Sequence, residues 1–164
     1  MEECVFCKIA ENIIPSFKIY EDEDIVCVLN IFPINPGHLT IFPKKHYEDL
    51  SSLNDEVYIK MLVLAKKLSE ILKIIFNTNK IIILLYSNKD YEKTKHISIE
   101  VFPKFDEDNV KLILPRKKAE STDLEYLKNK IISMISFKRE DKIENEKTEE
   151  INLKDLLKWI RKNI

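Results

Sequence analysis

The run His96-Ile97-Ser98-Ile99-Glu100-Val101-Phe102 constrains the fold more tightly than any other stretch of the chain. Polar and apolar residues alternate strictly from His96 to Val101, which is the period of a half-buried β-strand. His96, Ser98 and Glu100 then project from one face, while Ile97, Ile99 and Val101 enter a core on the other. Three chemically capable side chains in a row on one strand face form the floor of a site.

The rest of the chain reads as an α+β unit with a helical extension. Phe17–Tyr20 and Ile25–Leu29 predict two strands around the acidic turn Glu21–Asp24, and His38–Phe42 predicts a third after the breakers Pro33, Pro36 and Gly37. A long helix opens near Ser51–Asn54, with Val57, Met61, Leu64, Ala65, Leu68, Leu72 and Ile75 along one face. Ile59, Leu62, Ile71 and Ile74 lie off that stripe and suit a wider core or a dimer surface. Lys80–Ser87 is apolar between polar ends, so it is expected at the centre of an antiparallel sheet, beside the His96–Phe102 strand. A short strand at Val110–Leu114 and a helix with a Thr122/Glu125 capping box extend this domain to residue 137. Residues 138–150 are almost wholly charged and read as a solvated linker or frayed helix. Residues 151–164 form a last amphipathic helix, with Leu153, Leu156, Leu157, Ile160 and Ile164 on one side. That helix folds back on the domain or meets a protein partner.

Composition narrows the chemistry. At 164 residues and 45% hydrophobic, the chain buries one core. A net charge of -1 gives no strong nucleic-acid signal. No apolar run reaches the length of a membrane span, and the acidic start Met1-Glu2-Glu3 is no signal peptide, so the expected location is the cytoplasm. Gly37 is the only glycine, which excludes a glycine-rich phosphate cradle. Cys4 and Cys7 have the Cys-x-x-Cys spacing of a metal or redox turn, and the chain has three histidines to complete a tetrahedral set. Cys27, on an apolar strand, reads as a core residue.

Several blocks in order carry a family resemblance. They are Cys4-Val5-Phe6-Cys7-Lys8-Ile9, Ile34-Asn35-Pro36-Gly37-His38, Ile41-Phe42-Pro43-Lys44-Lys45-His46, His96–Phe102 and Leu114-Pro115-Arg116-Lys117-Lys118. Together they resemble the histidine-triad (HIT) superfamily over residues 4 to about 135. The resemblance implies the HIT-like fold, homodimers, and a zinc ion held by residues matching Cys4, Cys7, His46 and His96. A four-ligand zinc is structural, and here it would staple the N-terminus to the site strand.

The same resemblance exposes what has changed. The signature alternates three histidines with apolar residues, and the second histidine attacks the α-phosphorus of a nucleotide. Here the second position is Ser98 and the third is Glu100. A serine needs an adjacent base, and its phosphoester is far harder to break than a phosphoramidate. Loss of a nucleophile costs on the order of 10⁶ in turnover in the best-studied protease case. The preceding loop, Lys89–Lys95, lacks the family's phosphate-holding Gly and Gln; its lysines either replace those donors or are solvated loop charges. Asn30 stands where an Asp commonly binds ribose, and an Asn can still form one of those bonds. Glu100 opposes a phosphate by roughly 4 kcal/mol at 4 Å and an effective dielectric of 20, more than a hydrogen bond of about 1 kcal/mol returns. The resemblance puts His38 beside the site, as a partner for Glu100; as a lone histidine next to Gly37 it equally reads as a strand-start residue with no role.

These features imply a zinc-stapled HIT-like protein with a degenerate active site, keeping a purine nucleotide or nucleoside pocket that includes Asn30, His38, Ser98 and Glu100. Two alternatives stand beside it. One is an active nucleotide phosphohydrolase or nucleotidyl transferase with an altered catalytic residue; the other is an interaction module working through the C-terminal helix.

Overall fold

A computed structural model describes residues 4–87, 95–108, 110 and 115–145, with side chains described as far as residue 135 in the last segment. The chain divides into two compact units at Val110. The first holds a helix α1 (Val5–Ala10), strands β1 (Lys18–Glu21), β2 (Ile25–Leu29) and β3 (Leu39–Pro43), helix α2 (Asp55–Phe76), and strands β4 (Ile81–Tyr86) and β5 (Ser98–Pro103). The second holds helix α3 (Ser121–Asn145). Among the described residues, no helix is long and apolar enough to cross a membrane.

The five strands form one antiparallel sheet in the order β1-β2-β3-β5-β4. The α+β class and antiparallel sheet expected from the sequence are therefore present. Cross-strand partners share a face, so the register sorts the side chains. Ile41 faces Ile99 and Cys27, and all three join Met61, Leu64, Ala65, Leu68 and Leu72 of α2 in the main core. Thr40 faces Glu100 and Val28 on the opposite side of the sheet. There α1 packs a smaller cluster, Ile9 with Val26, Val28 and Phe42, and the Phe6 ring stacks on Phe42 at 4.6 Å.

Helix α2 begins where its chemistry dictates. The Asn54 side chain accepts hydrogen bonds from the amides of Glu56 and Val57, and Asp55 and Glu56 sit in the first turn against the positive end of the helix dipole. Asn77 closes it in the left-handed conformation at φ 48. The expected stripe is buried except at its ends: Val57 is half-buried and Ile75 is exposed. Lys60, buried among the core residues, is matched by ion pairs to Asp24 and Glu23 in the turn after β1.

Three expectations need correction. The apolar strand expected at the centre lies at the edge of the sheet, as β4, where Ile83 and Leu85 remain exposed. An edge strand whose outer flank awaits a partner carries the same apolar run as a central one, so the pattern does not separate them. The site strand is not half-buried: every residue from Ser98 to Pro103 is buried. In α3, the start at Ser121 puts Thr122 inside the first turn, and the Glu125 carboxylate pairs with Lys128 at 2.6 Å rather than capping. Helix α3 also runs through the charged segment to Asn145. The predicted strand at Val110–Leu114 and helix at 151–164 fall largely or wholly outside the described residues.

Candidate functional site

Two neighbouring groups of polar side chains occupy the α1 side of the sheet. The first gathers Cys4, Cys7, His46 and His96, whose sulfur and ring-nitrogen atoms all lie within 4.8 Å of one another. Cys4 Sγ is 3.3 Å from His96 Nδ1, Cys7 Sγ is 3.3 Å from His46 Nδ1, and Cys7 Sγ is 3.7 Å from His96 Nδ1. Ligands at about 2.0–2.3 Å around a tetrahedral ion stand roughly 3.3–3.8 Å apart, and these three separations fall in that range.

The surroundings prepare the donors. His96, 1% exposed, bonds through Nε2 to the Pro43 carbonyl at 3.0 Å, so that nitrogen carries the proton and Nδ1 is left to coordinate. Burial first, and the His46 ring second, push the His96 pKa down to about 4, which keeps the imidazole neutral. Burial also raises the Cys7 thiol to about 12, reinforced by Cys4, so in the absence of an ion Cys7 is protonated. The four residues can hold a metal. They come from the N-terminus, from the turn after β3 and from the entry to β5.

The second group lies on β5 and its neighbours. Ser98 is 0% exposed and its hydroxyl has no hydrogen-bond partner among the described residues. Glu100 and His38 are buried together, with His38 Nε2 3.5 Å from a Glu100 oxygen. His38 Nδ1 accepts the Ile34 amide at 3.2 Å, so the ring proton sits on Nε2 and faces the carboxylate. The two side chains are close, but His38 Nε2 makes no hydrogen bond among the described residues. Gly37 makes this turn possible: its φ is +83, and a Cβ there would lie 2.4 Å from Phe76 Cε2 at the end of α2.

Beside His38 opens a cleft of about 410 Å³ lined by Phe17, Leu29, Asn30, Ile31, Pro33 and Gly37, within the size range of small-molecule sites. Asn30 is one of the residues that line it. Two supporting residues escape the sequence reading. Thr40 Oγ1 accepts the Asn30 amide at 3.2 Å, and Asn35 donates to the Pro103 carbonyl and to Asp108, both at 2.8 Å. Only the register of β2 against β3 reveals the first; the Asn35-Pro36 turn dipeptide is a faint signal for the second. Cys27, 0% exposed with its thiol raised to about 12 by burial, is a core residue as read.

The HIT domain profile matches residues 11–137. The chain belongs to the HIT family. An uncharacterized HIT-like protein of Borreliella burgdorferi is 33% identical over 137 residues, spanning 82% of this chain and 96% of that one. The adenosine 5′-monophosphoramidase HNT1 of Saccharomyces cerevisiae is 32% identical over 109 residues, 63% of this chain and 64% of its own. Among solved structures, a zinc-bound histidine triad family protein from Mycobacterium smegmatis superposes with a TM-score of 0.61 at 26% identity, covering 72% of this chain and 84% of its own.

Proposed function

We propose that this chain is a zinc-stapled HIT protein that binds a nucleotide or nucleoside and has lost the hydrolytic chemistry of the triad. The burial of Ser98 carries this reading. A nucleophile must meet an electrophilic phosphorus, and a hydroxyl at 0% exposure with no base in hydrogen-bond reach among the described residues does neither. The four-donor cluster supports zinc: two thiols and two imidazoles are the ligands zinc prefers, and four of them close the shell, so the ion is structural. The cleft from Phe17 to His38 supports retained binding of a nucleoside-sized ligand. The exposed apolar edge of β4, together with exposed Leu62, Ile71 and Ile74 on α2, supports a homodimer joined along that side.

Metal analysis and turnover of an AMP phosphoramidate in the same preparation test the reading. It expects about one zinc per chain and no turnover above background; turnover that disappears in Ser98→Ala refutes it. The His38–Glu100 pair favours one other reading, an altered hydrolase in which these two groups move a proton. Turnover abolished by Glu100→Gln with the fold intact would select it.

A further inference from the structure

Cys4 and Cys7 are the one pair of thiols in this chain placed to join each other. The chain has three cysteines, and Cys27 is fully buried in the main core against α2, on the other face of the sheet from the metal cluster. Cys4 and Cys7 are each partly exposed and stand three residues apart across the first turn of α1, where the Lys8 amide donates to the Cys4 carbonyl at 3.2 Å. One such turn sets Cα atoms about 5 Å apart, inside the roughly 4.4–6.8 Å that a disulfide spans. The two sulfurs lie within 4.8 Å of each other, so side-chain rotation suffices to join them.

The cluster is open at one corner. His96 is buried, whereas His46 is exposed, and the 3.3 Å contact between Cys7 and His46 lies at the surface. A small solute therefore meets Cys7 first, with Cys4 behind it against His96. Metal ligation makes both sulfurs thiolates, and the thiolate is the nucleophilic form.

From this geometry we infer that the Cys4–Cys7 pair is a peroxide-sensitive latch: a hydroperoxide joins the two sulfurs, releases the zinc and unhooks the N-terminus from β5. The release rests on the zinc proposed above. With hydrogen peroxide, the Cys7 thiolate attacks one oxygen, the O–O bond breaks and hydroxide leaves, giving a sulfenic acid on Cys7. The Cys4 thiolate attacks that sulfur, the S–O bond breaks and a second hydroxide leaves. The sulfurs lose two electrons, the peroxide takes both, and two protons from solvent turn the hydroxides into water. His46 and His96 are left as two ligands, short of the four that hold a structural zinc.

Oxidation exchanges a long tie for a short one. Through the metal, Cys4 is tied to His96 across 92 residues; the disulfide closes only the loop from Cys4 to Cys7. A long closed loop constrains the unfolded chain more than a short one, so the oxidised protein is the less stable. What then holds α1 to the sheet is apolar contact, Phe6 on Phe42 and Ile9 beside Val26 and Val28.

The test treats full-length protein of measured zinc content with a small molar excess of hydrogen peroxide and follows zinc, thiols, mass and thermal midpoint together. Free thiols fall from three to one per chain as zinc is released, the mass records the loss of two hydrogens, and peptide mapping places the disulfide at Cys4–Cys7. The thermal midpoint falls, and a dithiol reductant with added zinc reverses each change. Cys27→Ala releases its zinc as wild type does. Zinc retained with all thiols intact overturns the inference, as do sulfinic or sulfonic acids in place of the disulfide, a disulfide between two chains, release that depends on Cys27, or an unchanged midpoint after release. Protein that holds no zinc before oxidation fails the zinc reading itself, and with it the release; loaded protein whose thiols survive fails the latch alone.

Discussion

Ser98→Ala should make this protein more stable. The structure makes this substitution a question of packing. The Ser98 hydroxyl is fully buried and unpaired among the described residues. A buried polar group without a partner costs about 1–3 kcal/mol of desolvation, all of which alanine removes. The opposing loss is the dispersion of one oxygen, a few contacts at about 0.1–0.2 kcal/mol each, on the order of 0.5 kcal/mol in total. The balance favours alanine by roughly 1 kcal/mol, which at this chain length raises Tm by about 2–4 °C. Urea titration measures it best, since an unchanged slope with a higher midpoint isolates stability from changes in compactness. Destabilisation by 1 kcal/mol or more would refute the reasoning: the hydroxyl would then be paired in solution, and Ser98 would have to be reconsidered as a working group.

Other perturbations test other parts of the structure. Gly37→Ala forces a side chain into the left-handed region, costing roughly 1–2 kcal/mol, and into contact with Phe76, costing about 1–3 more; chemical denaturation should show a midpoint well below wild type, and an unchanged midpoint would mean that the turn relaxes freely. Titrating zinc into metal-free protein at pH 7 should release at least one proton, from the Cys7 thiol that burial holds near 12, and none from His96, which is already neutral above about 4; calorimetry in buffers of different ionisation enthalpy counts the protons, and zero release would place the metal elsewhere. Asp108 is held well below the ordinary carboxylate value of 3.8, chiefly by its bond to Lys104, so its stabilisation is present above that value and is lost as pH falls through the folded pKa. Asp108→Asn should therefore flatten the acid limb of the stability–pH curve, and an unchanged limb would argue against the pair. Ile83→Lys on the exposed flank of β4 should convert a homodimer to monomer in sedimentation, whereas an unaltered mass would move the dimer surface off this edge.

The elements whose signal is local were legible in the sequence. Helix α2 was marked by its apolar stripe and by Asn54, and β2 by its run from Ile25 to Leu29, because periodicity and capping are written in neighbouring residues. The metal cluster was readable through a family resemblance and a Cys-x-x-Cys turn, although its ligands lie as far as 92 residues apart. Two things were not legible. The edge position of β4 depends on which strands it lacks as neighbours, a property of the whole sheet. The burial of Ser98 and Glu100 depends on what covers the second face of β5, and alternation reports only that the two faces differ.

The strand order has a consequence for how the chain reaches this structure. Strands β1, β2 and β3 form a meander that can pair as soon as each is made, but β4 has no partner among them. Its neighbour is β5, which follows β4 in the chain yet enters the sheet between β3 and β4. During synthesis an apolar strand must wait, unpaired, until Pro103 has left the ribosome. Then one docking event completes the sheet, carries His96 to the two cysteines and brings Glu100 against His38. Such non-local pairing is the slow kind, since the loop between β3 and β5 must close before any contact rewards it. Both groups of site residues are therefore assembled together and last, and a nascent chain halted before β5 possesses neither.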